Sequence, residues 1–259
     1  MSKFAIDSGH GCYPDIGAEG YLNEQNCALY IANRVINKLQ TLGHQAWNVR
    51  PSSAWSVSNS LQQRCYNAAN SDYLVSIHLN AGGGKGTEVF AMSEAGNALA
   101  SNVVKALVAL GFANRGVKDG SSLYVIRHSK PATILIEVCF VDTQSDADLY
   151  NKLGAESIAN AIVQGLTGQT ANVSNLKSAE QVHYVVCYNN DVDKRSALYL
   201  SEYLGCEAID NSKTPFNYEG YYPIKIGEGN FMSYAKLNLK GEDRYKTMLK
   251  VAQYIEGRR

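Results

Sequence analysis

The sequence predicts an α/β protein in two parts: a mixed twisted sheet with helices on both faces, then a smaller α/β carboxy-terminal domain. Two observations predict it. Short apolar runs alternate with longer segments of helical period, the pattern of a sheet covered on both faces. The alternation stops in small, polar residues around 167–181 and then restarts, which sets a first domain at 1–168, a linker at 169–181 and a second domain at 182–259.

The first apolar run, residues 3–6, reads as a strand that stops against Gly9 and Gly11 and delivers His10 just past its carboxyl end. A loop with Pro14, Gly17 and Gly20 follows. Asn23 is placed to cap a helix over 24–42 with an apolar stripe of Ala28, Ile31, Val35, Leu39 and Leu42, ended by Gly43. Glu24 falls in its first turn, where negative charge also complements the helix dipole. A short strand at 45–49, a Ser-rich loop through Asn59 and a helix over 60–70 come next, with Leu61, Cys65 and Ala69 on one face. In the strand Tyr73–Asn80, Leu74, Ser76, His78 and Asn80 share one side, so His78 stands at the strand end among polar neighbours. A strand at 86–92 and a helix at 97–110 follow, and 114–130 reads as a loop before Pro131. Ala132–Phe140 is the most continuously apolar strand, interrupted by Glu137. A carboxylate there is costly to desolvate unless it is on a rim, paired or used. Helices near 145–153 and 155–165 close the domain.

Beyond the linker, a strand at 182–188, a helix at about 192–204, and short strands at 206–209, 222–226 and 235–239 are expected. A final helix over 243–255 offers Tyr245, Met248, Leu249, Ala252 and Ile255 to a core. This part holds ten of the 17 tyrosines, with Tyr218, Tyr221 and Tyr222 in a loop. Tyrosine joins an apolar body to a polar tip, which suits carbohydrate or protein contact.

With 24 acidic and 24 basic residues, the chain has no global field pointing to nucleic acid or an anionic membrane. No apolar stretch approaches the roughly 20 residues of a membrane span. The amino terminus enters a strand without a signal-peptide core, so synthesis without export is expected. Six cysteines show no C-x-x-C pair, and Cys27, Cys65 and Cys139 fall in apolar patterns as reduced thiols do. Cys12, beside His10, is the one near potential chemistry.

In open α/β sheets, ligands bind outside the carboxyl ends of the strands. His10, His78 and Glu137 all fall there, from separate strands. Two imidazoles and a carboxylate, with one position left for water, form a catalytic zinc set, and Glu24 completes it. Glu88 and His128 are weaker candidates for substrate binding. Asp7 is a turn former or a group orienting a ligand or loop amide. His44 and His183 read as structural.

Asp7-Ser8-Gly9-His10-Gly11, Asn23-Glu24-Gln25-Asn26, Leu61 with Arg64 and Ala69-Asn70, Ser76-Ile77-His78-Leu79-Asn80-Ala81, Gly86-Thr87-Glu88 and the run from Pro131 to Phe140 occur in that order. Over 4–166 the chain resembles the zinc-dependent N-acetylmuramoyl-L-alanine amidases that cut peptidoglycan. The resemblance implies that His10, Glu24 and His78 hold one zinc ion and that Glu137 is the catalytic carboxylate. The chain departs from the family pattern at Ser8, Cys12, Cys139 and Val141-Asp142, which bear on groove shape. Gly241-Glu242-Asp243-Arg244-Tyr245-Lys246-Thr247 resembles a clostridial cell-wall-binding signature, and 182–257 is similar to the carboxy-terminal domain of clostridial phage endolysins. That likeness implies binding to a cell-wall polymer. The single copy of the signature implies assembly from several chains. It further implies an enzyme made in the host cytoplasm that acts on the wall after release. The competing expectations are a zinc peptidase cutting within the stem peptide, a secreted-type bacterial autolysin, and a lectin-like wall-binding protein whose metal is structural.

Overall fold

The computed structural model describes residues 1–170, 184–212, 222–227 and 237–256. The chain divides into two compact units, Met1–Val173 and Ser174–Arg259. Most of the expected 169–181 linker lies outside the described residues, as do Val182, His183, Tyr218, Tyr221 and Ala235.

The first unit is built on a six-stranded sheet of β1 (Lys3–Ser8), β2 (Gln45–Asn48), β3 (Tyr73–Asn80), β4 (Thr87–Ala91), β5 (Asn114–Asp119) and β6 (Ala132–Phe140), in the order β2-β1-β3-β6-β4-β5. Neighbours run parallel except β4 against β6. The sheet is therefore mixed, and the starts of β4 and β5 lie at the same end as the carboxyl ends of β1, β3 and β6. One face carries Phe4, Ile6, Val75, Ile77, Val89, Ile134 and Ile136 against α1 (Glu24–Thr41), α3 (Glu94–Ala109) and α5 (Gln144–Thr167), the last broken at Gly154. The other face is covered by α2 (Val57–Asn67) and the short α4 (Tyr124–His128), where Val125 and Ile126 pack on Leu135 with Leu61, Cys65 and Phe90. Side chains alternate along a strand, so Glu137 shares this face with Leu135, and His78 shares it with Ser76. Strand register sets His78 beside Glu137 and Glu137 beside Glu88. Three ionisable side chains thus cross three adjacent strands on one face.

Several boundaries differ from the sequence-based expectation. Helix α2 begins at Val57, because Ser56 accepts a hydrogen bond from the Asn59 N–H and caps it. Its buried residues are Asn59, Ser60 and Arg64, with Leu61, Cys65 and Ala69 only half-buried. Ser93 likewise caps α3, which begins three residues before the expected start. The stretch expected as a loop after Asn114 contains β5 and α4. β5 is an exposed edge strand without apolar alternation, and α4 is too short for a helical period to register.

In the second unit, β7 (Tyr184–Tyr188), β8 (Glu207–Asp210), β9 (Tyr222–Ile226) and β10 (Leu237–Leu239) form a parallel sheet in the order β10-β9-β7-β8. Helices α6 (Asp191–Leu204) and α7 (Arg244–Glu256) complete a core of Val186, Leu200, Ile224, Ile226, Val251 and Ile255. The buried stripe of α7 is Thr247, Val251 and Ile255, whereas Tyr245 and Leu249, expected in the core, are 70% and 55% exposed. The reason is the start of the helix. Asp243 accepts from the Lys246 N–H, and the Thr247 hydroxyl accepts from the Gly241 N–H, which turns Thr247 inward. Among the described residues no helix is long and apolar enough to cross a membrane.

One buried carboxylate joins the strands of the first unit. Asp146 Oδ2 accepts from the Gly86 N–H at 2.7 Å and the Phe140 N–H at 2.9 Å, tying the start of β4 to the end of β6. Asp146→Ala should cost about 2–4 kcal/mol, since it strands two buried donors; urea unfolding measures it. A loss under 0.5 kcal/mol would contradict this stitching role.

Candidate metal centre and its carboxylate

The site begins where β1 ends. His10 has a φ of 55°, a left-handed conformation that is uncommon for any residue but glycine. Two contacts hold it there. Its carbonyl accepts from Arg64 Nη2 at 2.9 Å, and its ring Nδ1 lies 2.8 Å from Asp15 Oδ1. With Nδ1 so engaged, Nε2 points inward to within 3.3 Å of Glu24 Oε1. Glu24 is buried in the first turn of α1. The Asn23 cap sets that turn, and Glu24 Oε2 accepts from the Ala18 N–H at 2.8 Å. His78 Nδ1 lies 3.1 Å from the same Glu24 oxygen, and the two imidazoles stand nearly perpendicular with centroids 4.7 Å apart.

One ligand atom from each of His10, Glu24 and His78 lies within 4.8 Å of the others. Four-coordinate zinc with bonds near 2.0–2.1 Å separates its ligand atoms by ~3.3 Å, so the two measured separations suit one small cation. The donors, two imidazole nitrogens and one carboxylate oxygen, are of the type zinc takes. Beside them, Glu137 Oε2 is buried and has no hydrogen-bond partner among the described residues. A buried, unpartnered carboxylate oxygen on the residue paired in register with His78 is the arrangement of a centre that works on a bound molecule.

The sequence profile of N-acetylmuramoyl-L-alanine amidases matches residues 4–168. The chain belongs to that amidase family. The chain is 34% identical over 188 residues to a sporulation-specific N-acetylmuramoyl-L-alanine amidase of Bacillus subtilis, which covers 68% of this chain and 70% of that one. It is 30% identical to the endolysin of Bacillus phage SPP1 over 68% of each chain. Among solved structures, it superposes on the catalytic domain of the CD27L endolysin targeting Clostridia difficile. The TM-score is 0.62 at 30% identity, covering 66% of this chain and 99% of that one. The family match ends at the first unit.

The structure brings together His10, Glu24, His78 and Glu137 of this amidase chain. It sets His128 apart, on α4 before the start of β6, bonded to the Tyr124 carbonyl and stacked on the Tyr124 ring. The five residue steps from Ala132 to Glu137 are a strand length of about 16 Å. Glu88 is buried beside Glu137 but is engaged by Asn80 Nδ2 at 2.8 Å and Arg115 Nε at 2.9 Å. Asp7 touches no ligand. It accepts from Ser76 Oγ at 2.7 Å and pairs with Arg64. Cys12 is buried and exchanges backbone hydrogen bonds with Asp15.

Sequence reasoning missed Asp15 and gave Arg64 no role beyond its place in the family motif. Asp15 holds His10, and five-residue spacing in a loop carries no signal for that. Arg64, 1% exposed, also donates to the Ser8 carbonyl, Ser60 and Asp15. A charged residue at the centre of a helix's buried stripe is invisible to an apolar periodicity.

Burial opposes the charge on His10, but hydrogen bonds to Asp15 and Glu24 prevail and raise its pKa to about 9. Burial would raise the Glu24 carboxyl, yet hydrogen bonds from both imidazoles hold it far below the usual range. Burial pushes Glu137 up to about 7. His10 must shed its proton to bind a cation, so cation affinity should rise with pH up to about 9. A zinc titration against a chelator should show a loss of roughly tenfold per pH unit from 9 toward 7. Affinity independent of pH would contradict the assignment. Gly9 adds a steric test, because a Cβ there would overlap the His78 ring. Gly9→Ala should weaken zinc binding by about tenfold or more while the circular dichroism spectrum is retained.

Proposed function

We propose that the chain is a zinc-dependent peptidoglycan hydrolase. It cleaves the amide between N-acetylmuramic acid and L-alanine, and it acts as a phage endolysin. The observation that carries the reading is the convergence of three ligand atoms beside a buried, unpartnered carboxylate oxygen in a chain of the amidase family. The endolysin assignment is supported by the likeness to two endolysins.

His10 Nε2, Glu24 Oε1 and His78 Nδ1 would hold the zinc ion, and Asp15 fixes the tautomer of His10 that exposes Nε2. When bound, zinc polarises the amide carbonyl and makes a neighbouring water easier to deprotonate. Glu137 takes the proton from the attacking water as its oxygen bonds to the lactyl carbonyl carbon. The same carboxyl then delivers that proton to the L-alanine nitrogen as the carbon–nitrogen bond breaks. A carboxyl titrating near 7 is matched to both halves of that transfer, because it gains and loses a proton at similar cost. The raised value follows from burial on a strand whose other side is core. Glu24, in contrast, stays ionised at every working pH, as a ligand must.

The second unit is proposed to bind a cell-wall polymer, with the exposed Tyr245 and Leu249 of its last helix on the surface. Arg244 stacks on Tyr245 with its guanidinium carbon 4.7 Å from the ring centroid and donates to the Tyr245 hydroxyl. Assembly into a homo-oligomer through this unit, and action on the wall after release from the host cytoplasm, complete the proposal.

Glu137→Gln should lower kcat on purified sacculi by about a thousandfold or more while zinc content stays unchanged. Retained lysis would sink the mechanism. In the wild type, labelling of new amino termini should find L-alanine; an internal amine of the stem peptide would favour a peptidase instead. The rate should also fall as pH drops below about 7, where Glu137 gains a proton before reaction and no longer serves as base.

A further inference from the structure

The ladder of ionisable residues that begins with His78 does not stop at Glu137. Glu88 on β4 comes next, then β5, whose Arg115 precedes the residue paired with Glu88. Glu88 is 5% exposed, and both its oxygens are used: Asn80 Nδ2 on one, Arg115 Nε on the other. The Arg115 guanidinium lies 4.9 Å from the centroid of the Phe140 ring, which belongs to the strand that carries Glu137. Two contacts of different kinds therefore fix the plane of this guanidinium. A surface arginine with neither would lose much of its binding strength to rotamer freedom.

What remains matters most. Nη1 and Nη2 have no partner among the described residues, and the side chain is 37% exposed. A guanidinium with Nε bonded inward presents its two terminal nitrogens outward as a fork that fits the two oxygens of a carboxylate. Adjacent strands are about 4.8 Å apart, so β5 lies about 10 Å from β6 before the side chain leans back over Phe140. An extended dipeptide reaches ~7 Å. With the stem peptide running toward β5, the fork stands about one residue beyond the bond that Glu137 would act on.

We propose that Arg115 is a substrate-binding residue that selects a free carboxylate on the second residue of the stem peptide, the residue attached to L-alanine. The inference rests on the amidase reading above and names its peptide specificity. In bacterial walls that group occurs either as a carboxylate or as its amide, and the two differ where a guanidinium discriminates. The carboxylate accepts two charge-assisted hydrogen bonds; the amide offers one acceptor and places an N–H₂ against a cation. The buried Glu88 makes the fork rigid and cannot itself be the ligand's partner, because both its oxygens are occupied. Arg115 thereby acts on binding rather than on the proton transfer.

The test uses the zinc-loaded protein and two soluble substrates, N-acetylmuramoyl-L-alanyl-γ-D-glutamyl-L-lysine and its D-isoglutaminyl analogue. They differ only in whether the second residue's α-carboxyl is free, its γ-carboxyl being in the peptide bond to lysine. The wild type should cleave the carboxylate form with kcat/KM higher by roughly ten- to a hundredfold, the difference lying in KM. R115Q should raise KM for the carboxylate form alone and bring the two substrates to within about twofold. Because R115Q also strips Glu88 of its partner, R115K is measured alongside; it keeps the charge and should keep an intermediate preference. A wild type that treats both substrates alike, or variants that lower both equally, would overturn the role of Arg115 and leave the amidase reading standing. A wild type that cleaves neither compound, while releasing other amines from sacculi, would overturn the amidase reading itself and the selectivity with it.

Discussion

A single buried guanidinium underlies the geometry of this site. Arg64 crosses from α2 to the end of β1, pairs with Asp7 and Asp15, and donates to the carbonyls of Ser8 and His10. An arginine so deeply buried is tolerable only because its charge is matched and its N–H groups are used. The arrangement fixes three things together: the end of β1, the left-handed backbone of His10, and the carboxylate that orients the His10 ring. Removal of Arg64 strips two buried carboxylates of their shared guanidinium. The metal-facing nitrogen of His10 is thus positioned by an interaction on its far side, in the interior of the protein.

The second constraint is the division of one sheet face. Helices α2 and α4 cover its lower part through Leu135, Phe90, Val125 and Ile126, and the end beyond them carries His78, Glu137 and Glu88. Backbone pairing spaces those residues at fixed intervals, which is why two carboxylates and an imidazole can adjoin without flexible arms. Their different fates follow from their partners. Glu24 lies between two imidazoles and remains ionised, Glu88 is paired with Arg115, and Glu137 has a buried oxygen that no described residue satisfies. Burial poises Glu137 near 7.

Much of this was legible in the residues. Alternation placed β1, β3 and β6, and the Asn23 cap placed Glu24 at a helix start, so the four site residues could be assigned to one end of a sheet. Ser56 and Ser93 were passed over because a capping serine looks like any loop serine until the helix it begins is known. The strand β5 was lost because an edge strand exposed on both sides has no apolar period, and Arg115 was lost with it. Asp15, and the role of Arg64, are hidden for another reason: buried polar groups are chosen for each other across the fold, not for their neighbours in sequence. On α7, the periodicity selected Tyr245 and Leu249, but the hydrogen bonds at the helix start turned Thr247 and Val251 inward instead.

X-ray absorption at the zinc edge of the metal-loaded protein tests the central claim most directly. The account predicts a first shell of only nitrogen and oxygen at about 2.0–2.1 Å, with the outer-shell scattering of two imidazoles and one site left to solvent. A sulfur shell near ~2.3 Å, or a shell closed by four protein ligands, would contradict it.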